Sequence, residues 1–121
     1  LSTEQALRIA RGTAAAVAHL HGRGMLHGDL YGHNLLVDDH GHTLLSDFGG
    51  ATFIDPASLR GQRLMQLESR AFGCLLEELL DHCPADDQPR RQQALRQLQQ
   101  ACLDERVASR PDFPAICAAL D

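Results

Sequence analysis

The sequence contains no lysine: its 11 basic residues are all arginine, and with 16 acidic residues the net charge is −5. Proteins that bind nucleic acid or an anionic membrane surface usually do so through basic patches. The longest apolar run is also far shorter than the roughly 20 residues that span a bilayer. We therefore expect neither nucleic acid nor a membrane among the partners of this chain.

The chain also lacks a C-x-x-C pair, a low-complexity tract and an internal repeat. Its four cysteines are widely spaced, at Cys74, Cys83, Cys102 and Cys117. This spacing does not indicate a disulfide framework, so we expect reduced side chains packed in the core of a cytoplasmic protein. With 121 residues, 44% of them hydrophobic, the chain is predicted to form one domain over residues 1–121, or one lobe of a larger domain.

Helical periodicity covers most of the chain. Ser2 and Gln5 have the spacing of a capping box, and an apolar stripe then recurs every three or four residues, with members Leu7, Ala10, Ala14, Val17 and His21. Further helices are predicted over residues 68–80, 90–102 and 113–120, the first of which is apolar on most sides and is expected to be buried. Residues 53–66 show no sustained period and predict an irregular segment or a short helix.

Two short apolar runs, residues 35–37 and 43–45, are joined by a turn composition and predict a small β-hairpin. The hairpin would bring Asn34 and Asp47 close together, since they flank its two strands. Asp29 lies shortly before them. Carboxylate and amide oxygens presented in this way suit a metal ion bound to phosphate, so these three residues are the candidate site. The predicted fold class is mostly α, with one small hairpin and no parallel sheet.

Four segments together carry a resemblance to a known family. The strings His27-Gly28-Asp29-Leu30-Tyr31-Gly32-His33-Asn34 and Asp47-Phe48-Gly49 resemble the catalytic loop and the D-F-G triplet of the protein kinase superfamily. Farther along, Ser69-Arg70-Ala71-Phe72-Gly73-Cys74-Leu75-Leu76 resembles the central buried helix, and Arg110-Pro111-Asp112-Phe113 resembles the R-P-x-F turn. The matches are in the family's order and cover almost the whole chain. They imply a helical C-terminal lobe whose hairpin carries the catalytic and D-F-G loops.

The resemblance implies a role for each candidate residue. Asp29 would be the base that accepts or orients the proton of the attacking hydroxyl. Asn34 and Asp47 would bind Mg²⁺ beside ATP. Phosphoryl transfer needs these groups chiefly for positioning and charge neutralisation.

The same resemblance implies structural roles for other residues. His27, Phe48 and Gly49 would support the two loops. Glu68 stands where the family usually has an aspartate that accepts backbone amides of the catalytic loop. Arg110 would anchor its turn, and three acidic partners are open for it: Glu68, Glu77 and Glu78.

The family's glycine-rich loop and phosphate-pairing lysine belong to the other, N-terminal lobe, and neither is found in this sequence. Because the chain also begins at Leu1, next to a capping sequence, we expect it to be the C-terminal lobe of a longer serine/threonine-type protein kinase, of bacterial type given its divergent loop. The lobe alone is predicted to be inactive. The surface that the other lobe normally covers is expected to promote self-association.

Some departures from the family pattern keep other functions open. Gly28 replaces an arginine that pairs with phosphorylated activation segments, Tyr31 replaces a lysine, and no A-P-E motif follows the D-F-G triplet. H-G-D is also characteristic of aminoglycoside and choline kinase-like phosphotransferases, which act on small molecules. A second alternative is a non-catalytic pseudokinase that serves as an interaction module. The retention of Asp29, Asn34 and Asp47 argues against the latter.

Overall fold

The computed structural model describes residues 1–28, 35–37, 43–45 and 52–121. Four α-helices dominate these residues: α1 (Thr3–Gly22), α2 (Leu59–Asp81), α3 (Pro89–Cys102) and α4 (Phe113–Leu120). Four short strands lie between the first two helices: β1 (Met25–Leu26), β2 (Leu35–Val37), β3 (Thr43–Leu45) and β4 (Thr52–Phe53). A 3-10 turn, Val107–Ser109, precedes α4. The mostly helical fold class is confirmed.

Helix α1 begins as its sequence predicts. The Ser2 hydroxyl accepts a hydrogen bond from the Gln5 amide, and the Gln5 side chain accepts one from the Ser2 amide, which completes the capping box. All five members of the predicted stripe are buried. This face packs against the other helices in a core made of Leu7, Ala10, Ala14, Val17, Phe72, Leu75, Leu76, Leu80, Leu95, Cys102, Phe113, Ile116 and Leu120.

The first turn of α1 is also fastened by the loop between α2 and α3. The Thr3 amide donates to the Asp87 carboxylate (2.7 Å), and the Thr3 hydroxyl donates to the Asp87 carbonyl (2.7 Å). The Gln92 side chain donates to the Thr3 hydroxyl and to the carbonyls of Pro84 and Asp87. These bonds satisfy amides and carbonyls that a helix end and a loop leave without partners. We call the contacts of Thr3, Asp87 and Gln92 the N-terminal clasp.

The strands form two antiparallel pairs. Strand β2 pairs with β3 in the register Leu35↔Leu45, on the apolar runs that the sequence indicates. Strand β1 pairs with β4 in the register Met25↔Phe53. The second pair was not predicted, because two-residue strands carry too little alternation to be recognised in a sequence.

Helix α2 corrects the prediction for residues 53–66. That segment is irregular only as far as Ser58, and a continuous 23-residue helix then begins at Leu59. The Ser58 hydroxyl caps it by accepting from the Gly61 amide (2.9 Å). Pro56 precedes the cap and therefore does not interrupt the helix, and Gly61 is tolerated in the first turn.

The burial of α2 and α3 also differs from expectation. Helix α2 is buried on one face only and leaves Cys74 exposed, so not every cysteine packs in the core. Cys102 does, and burial raises the pKa of its thiol to about 12. On α3, Ala94 and Ala101 are exposed. Gln99 is buried instead, because its amide donates to the Glu77 carboxylate.

We expect Gly73→Ala to destabilise the protein. A Cβ atom at Gly73 would lie 2.9 Å from the Cβ of Cys102 and 3.0 Å from the Leu103 side chain, so α2 and α3 would have to move apart, at a cost of about 1–3 kcal/mol. Urea unfolding measures this loss. The matched control is Gly22→Ala, where a Cβ meets nothing within 4 Å. Equal stability of the two variants would contradict the close approach of the helices.

Candidate active site

The described strands lie before, between and after the predicted catalytic residues in the sequence. Leu35, which follows Asn34, is the register partner of Leu45, which precedes Asp47 by two residues. The start of β2 and the end of β3 are therefore at the same end of this pair. The predicted residues Asp29, Asn34, Asp47, Phe48 and Gly49 lie outside the described residues, so their placement stays a prediction.

The described part of the catalytic-loop motif is held by one buried carboxylate. The Glu68 side chain accepts the His27 amide at Oε1 (3.1 Å) and the Gly28 amide at Oε2 (2.8 Å). Glu68 is 6% exposed and His27 is fully buried. Glu68 projects from α2, which packs in the core through Phe72, Leu75, Leu76 and Leu80. Helix α2 therefore holds the backbone of His27 and Gly28, directly before Asp29 in the sequence.

Gly28 has a backbone conformation that favours glycine. Its φ is +86°, in the left-handed region where a side chain would be strained. In this conformation its amide points to Glu68. The positive φ of Gly28 is therefore a structural reason for glycine at the position where the family often has arginine.

A third donor to Glu68 was missed by the sequence analysis. The His21 ring nitrogen Nε2 lies 2.8 Å from Glu68 Oε1, and both side chains are buried. His21 had been assigned only to the apolar stripe of α1. A buried polar residue on an apolar stripe, with a carboxylate predicted inside the neighbouring helix, is the signal that could have indicated this pair.

The environment of Glu68 stabilises its ionised form. Burial by itself would raise the pKa of the carboxyl, but the hydrogen bonds from His21, Gly28 and His27 outweigh it and lower the pKa below 4.5, its ordinary value. Glu68 is therefore an anion at neutral pH, with its lone pairs directed at three donors. Such a group can position a loop, but it is not placed to exchange protons with a substrate.

Aromatic contacts extend this arrangement toward α4. The His21 ring lies edge-on to Phe113, with the ring centroids 5.1 Å apart, and Phe113 lies edge-on to Phe72 at 5.7 Å. Phe113 belongs to the R-P-x-F turn. The His21 ring thus contacts that turn on one side and binds the carboxylate of Glu68 with its Nε2.

The R-P-x-F turn is anchored to α2 by hydrogen bonds to carbonyl oxygens. Arg110 donates from Nε to the Asp104 carbonyl (2.9 Å) and from Nη1 to the Gln66 carbonyl (3.2 Å). The Ser69 hydroxyl donates to the Pro111 carbonyl (2.8 Å). Arg110 therefore uses backbone oxygens, and none of the three acidic candidates is among its described partners. Asp112 caps α4 by accepting from the Ala115 amide (2.9 Å).

The described residues contain no group of three or more His, Cys, Asp or Glu side chains that could bind a metal ion. The donors predicted for Mg²⁺, the amide oxygen of Asn34 and the carboxylate of Asp47, are oxygen ligands of the kind this ion prefers. Their chemistry fits the ion, and they flank the two strands whose register is given above. Within the same described residues, no helix is long and apolar enough to cross a membrane.

Comparison with known proteins agrees with this arrangement. A family model described as Protein kinase domain matches residues 1–73. This match covers the capping box, the catalytic-loop and D-F-G motifs and the first part of α2 with Glu68. The chain belongs to the protein kinase family.

Individual relatives are protein kinases by name, and two of the three described next are serine/threonine-protein kinases. A probable serine/threonine-protein kinase of Arabidopsis thaliana is 37% identical, over 54% of this chain and 15% of the relative. The CBL-interacting protein kinase 16 of Oryza sativa subsp. japonica is 40% identical, over 66% and 17%. The serine/threonine-protein kinase PrkC of Bacillus subtilis is 34% identical, over 49% and 9%. The chain spans less than a fifth of the length of each of these relatives.

We expect Glu68→Gln to destabilise the protein at neutral pH by about 3 kcal/mol, because the buried amides and His21 lose an anionic acceptor. The pKa of Glu68 is lowered in the folded state, so its contribution is complete above about pH 4.5 and is lost as the pH falls through the folded-state pKa. The difference between the wild-type chain and the variant should therefore narrow in acid. Urea unfolding from pH 7 to pH 3 measures it.

The matched control is Glu105→Gln, an exposed carboxylate outside α2. It should change the free energy of unfolding by less than about 0.5 kcal/mol. Faster hydrogen exchange at the His27 and Gly28 amides in the Glu68 variant alone would report the released loop. A stability difference independent of pH would contradict an ionised Glu68.

Proposed function

We propose that this chain is the catalytic-loop lobe of an ATP- and Mg²⁺-dependent protein kinase that transfers the γ-phosphoryl group to a serine or threonine hydroxyl of a protein. The observation that carries the proposal is the grip of Glu68 on the His27 and Gly28 amides, directly before Asp29. The family membership of residues 1–73 and the names of the relatives support the same function.

In this proposal Asp29 accepts or orients the proton of the acceptor hydroxyl. Asn34 and Asp47 bind Mg²⁺, which when present neutralises charge on the phosphate oxygens. Glu68 and His21 do not touch the reacting atoms. They position the loop, which matters because phosphoryl transfer depends on alignment more than on covalent work by the protein.

We further propose that an N-terminal lobe supplies the remainder of the nucleotide site in the parent protein. The sequence contains no lysine to pair with the phosphates, and the segments that align with this chain make up only 15%, 17% and 9% of the three kinases described above. We also propose that the parent is a cytoplasmic protein, since ATP is abundant there. The divergent H-G-D loop favours a bacterial source.

Asp29→Asn in the full-length parent should lower phosphoryl transfer at least about a hundredfold, because the amide cannot accept the hydroxyl proton. Radiolabelled ATP and a protein acceptor mixture provide the assay. The matched control is Asp38→Asn, in the segment that joins the two short apolar runs in the sequence, and it should retain activity. Transfer that survives the Asp29 change would remove this residue from its role. Preferential transfer to choline or an aminoglycoside would favour the small-molecule alternative.

The 121-residue chain alone should show no micromolar binding of Mg-ATP in titration calorimetry, since half of the proposed nucleotide site belongs to the other lobe. The parent protein is the positive control. Micromolar binding by the isolated chain would contradict the division of the site between two lobes. Such binding would not bear on the role of Asp29, which the Asp29→Asn assay tests separately.

A further inference from the structure

The outward face of α2 carries an exposed stripe with a definite charge order. Its members recur every three or four residues and so share one side of the helix; they are Arg60, Arg63, Leu67, Arg70, Cys74, Glu77, Glu78 and Asp81. All eight are exposed, Leu67 to 55%. Leu59, next to the stripe at the start of the helix, is 67% exposed. We call these eight residues the α2 stripe.

The charge order of the α2 stripe is unfavourable for the dipole of its own helix. Its arginines occupy the N-terminal half and its acidic residues the C-terminal end, whereas the helix dipole favours the opposite arrangement. The first turn contains no acidic residue and the last turn no basic residue. The order therefore has to be explained by contacts other than those within α2.

Contacts within the chain account for only part of the stripe. Asp81 pairs with Arg96 (2.9 Å), and Glu77 accepts from Gln99 (3.1 Å), so these two acids serve the packing of α2 on α3. Arg60, Arg63 and Arg70 make no hydrogen bond or ion pair with another residue in the described part of the chain. Within the residues that the structure describes, these three guanidinium groups are therefore available to acidic groups of a partner, and they lie on the same side of α2 as the exposed Leu67 side chain.

We propose that the α2 stripe is the interface of a symmetric dimer, in which α2 packs antiparallel against α2 of a second copy. A two-fold axis between Arg70 and Ala71 makes the charge order self-complementary. Arg60 then lies beside Asp81 of the second copy, and Arg63 beside its Glu78. Each pair occurs twice.

The centre of the same arrangement covers apolar surface. Leu67 lies beside Cys74 of the second copy, again twice. A groove of about 370 Å³ lies between α2 and the start of the catalytic-loop motif; Leu64, Leu67, Arg70, Ala71 and Cys74 line it from α2, together with Glu68, and Leu26 and Gly28 line its other side. It offers apolar room for side chains of the second copy, and the exposure of Leu67 would be removed on association. The two Arg70 side chains meet near the axis, which is the one repulsive contact.

This dimer predicts a pattern of association that charge exchange can test. Sedimentation of the 121-residue chain over a range of concentrations should show a monomer–dimer equilibrium. Arg60→Glu with Arg63→Glu should raise the dimer Kd about tenfold or more, as should Glu78→Arg with Asp81→Arg. Mixing the two double variants should restore dimers, because every opposed pair is again of opposite sign.

The matched control carries the same charge change elsewhere. Arg23→Glu with Arg90→Glu alters two exposed arginines outside α2 and should leave the dimer Kd unchanged. Thermal unfolding confirms that each variant is folded. A wild-type chain that stays monomeric at millimolar concentration, or a mixture of the double variants that fails to associate, would overturn the proposal.

Two further variants test the position of the axis. Arg70→Ala should tighten the dimer, because it removes the like charges at the centre. Weaker self-association of this variant would overturn the antiparallel pairing. Leu67→Cys should form intermolecular disulfides with native Cys74 under mild oxidation, since within one chain these residues are two turns apart, about 10 Å, and cannot bond. Absence of this cross-link would also contradict the pairing.

Discussion

The structure depends on one buried carboxylate that lies between the helical core and the predicted catalytic loop. Glu68 accepts two backbone amides and faces a histidine, and it does so from a helix whose neighbouring residues form the centre of the core. A carboxylate that left water without such donors would be costly to bury. With three donors the ionised carboxylate is stabilised in the interior, and it ties the His27 and Gly28 amides to α2.

The donors themselves are supported in turn. His21 is confined between Glu68 and the edge of Phe113, and Phe113 is fixed against Phe72 in the core. The R-P-x-F turn is tied to α2 through carbonyl oxygens rather than through an ion pair. Among the described residues, the last helix is thus fastened without an ion pair from Arg110 to Glu68, Glu77 or Glu78, which explains how the turn can be retained when the A-P-E motif is not.

The sequence predicts the parts of the fold in which periodicity and caps coincide, such as α1 with its Ser2 box and buried stripe. The prediction fails where one local signal overrides another. Residues 53–66, which include Pro56 and Gly61, show no sustained period, but the Ser58 cap begins a long helix within this segment. In the site, the resemblance to the protein kinase family implies the role of Glu68. The contact between His21 and Glu68 depends on how α1 packs against α2. This packing is a tertiary feature, and the local sequence pattern of either helix does not predict it.

The N-terminal clasp has a consequence for the order of events during synthesis. Thr3 emerges from the ribosome long before Asp87 and Gln92, which are 84 and 89 residues away in sequence. The apolar face of α1 can begin to pack once Phe72, Leu75 and Leu76 of α2 are present, but the clasp on its first turn must wait for the last third of the chain. Contacts of such long sequence separation slow folding, so the N-terminal turn of α1 is among the last parts of the fold to be fixed.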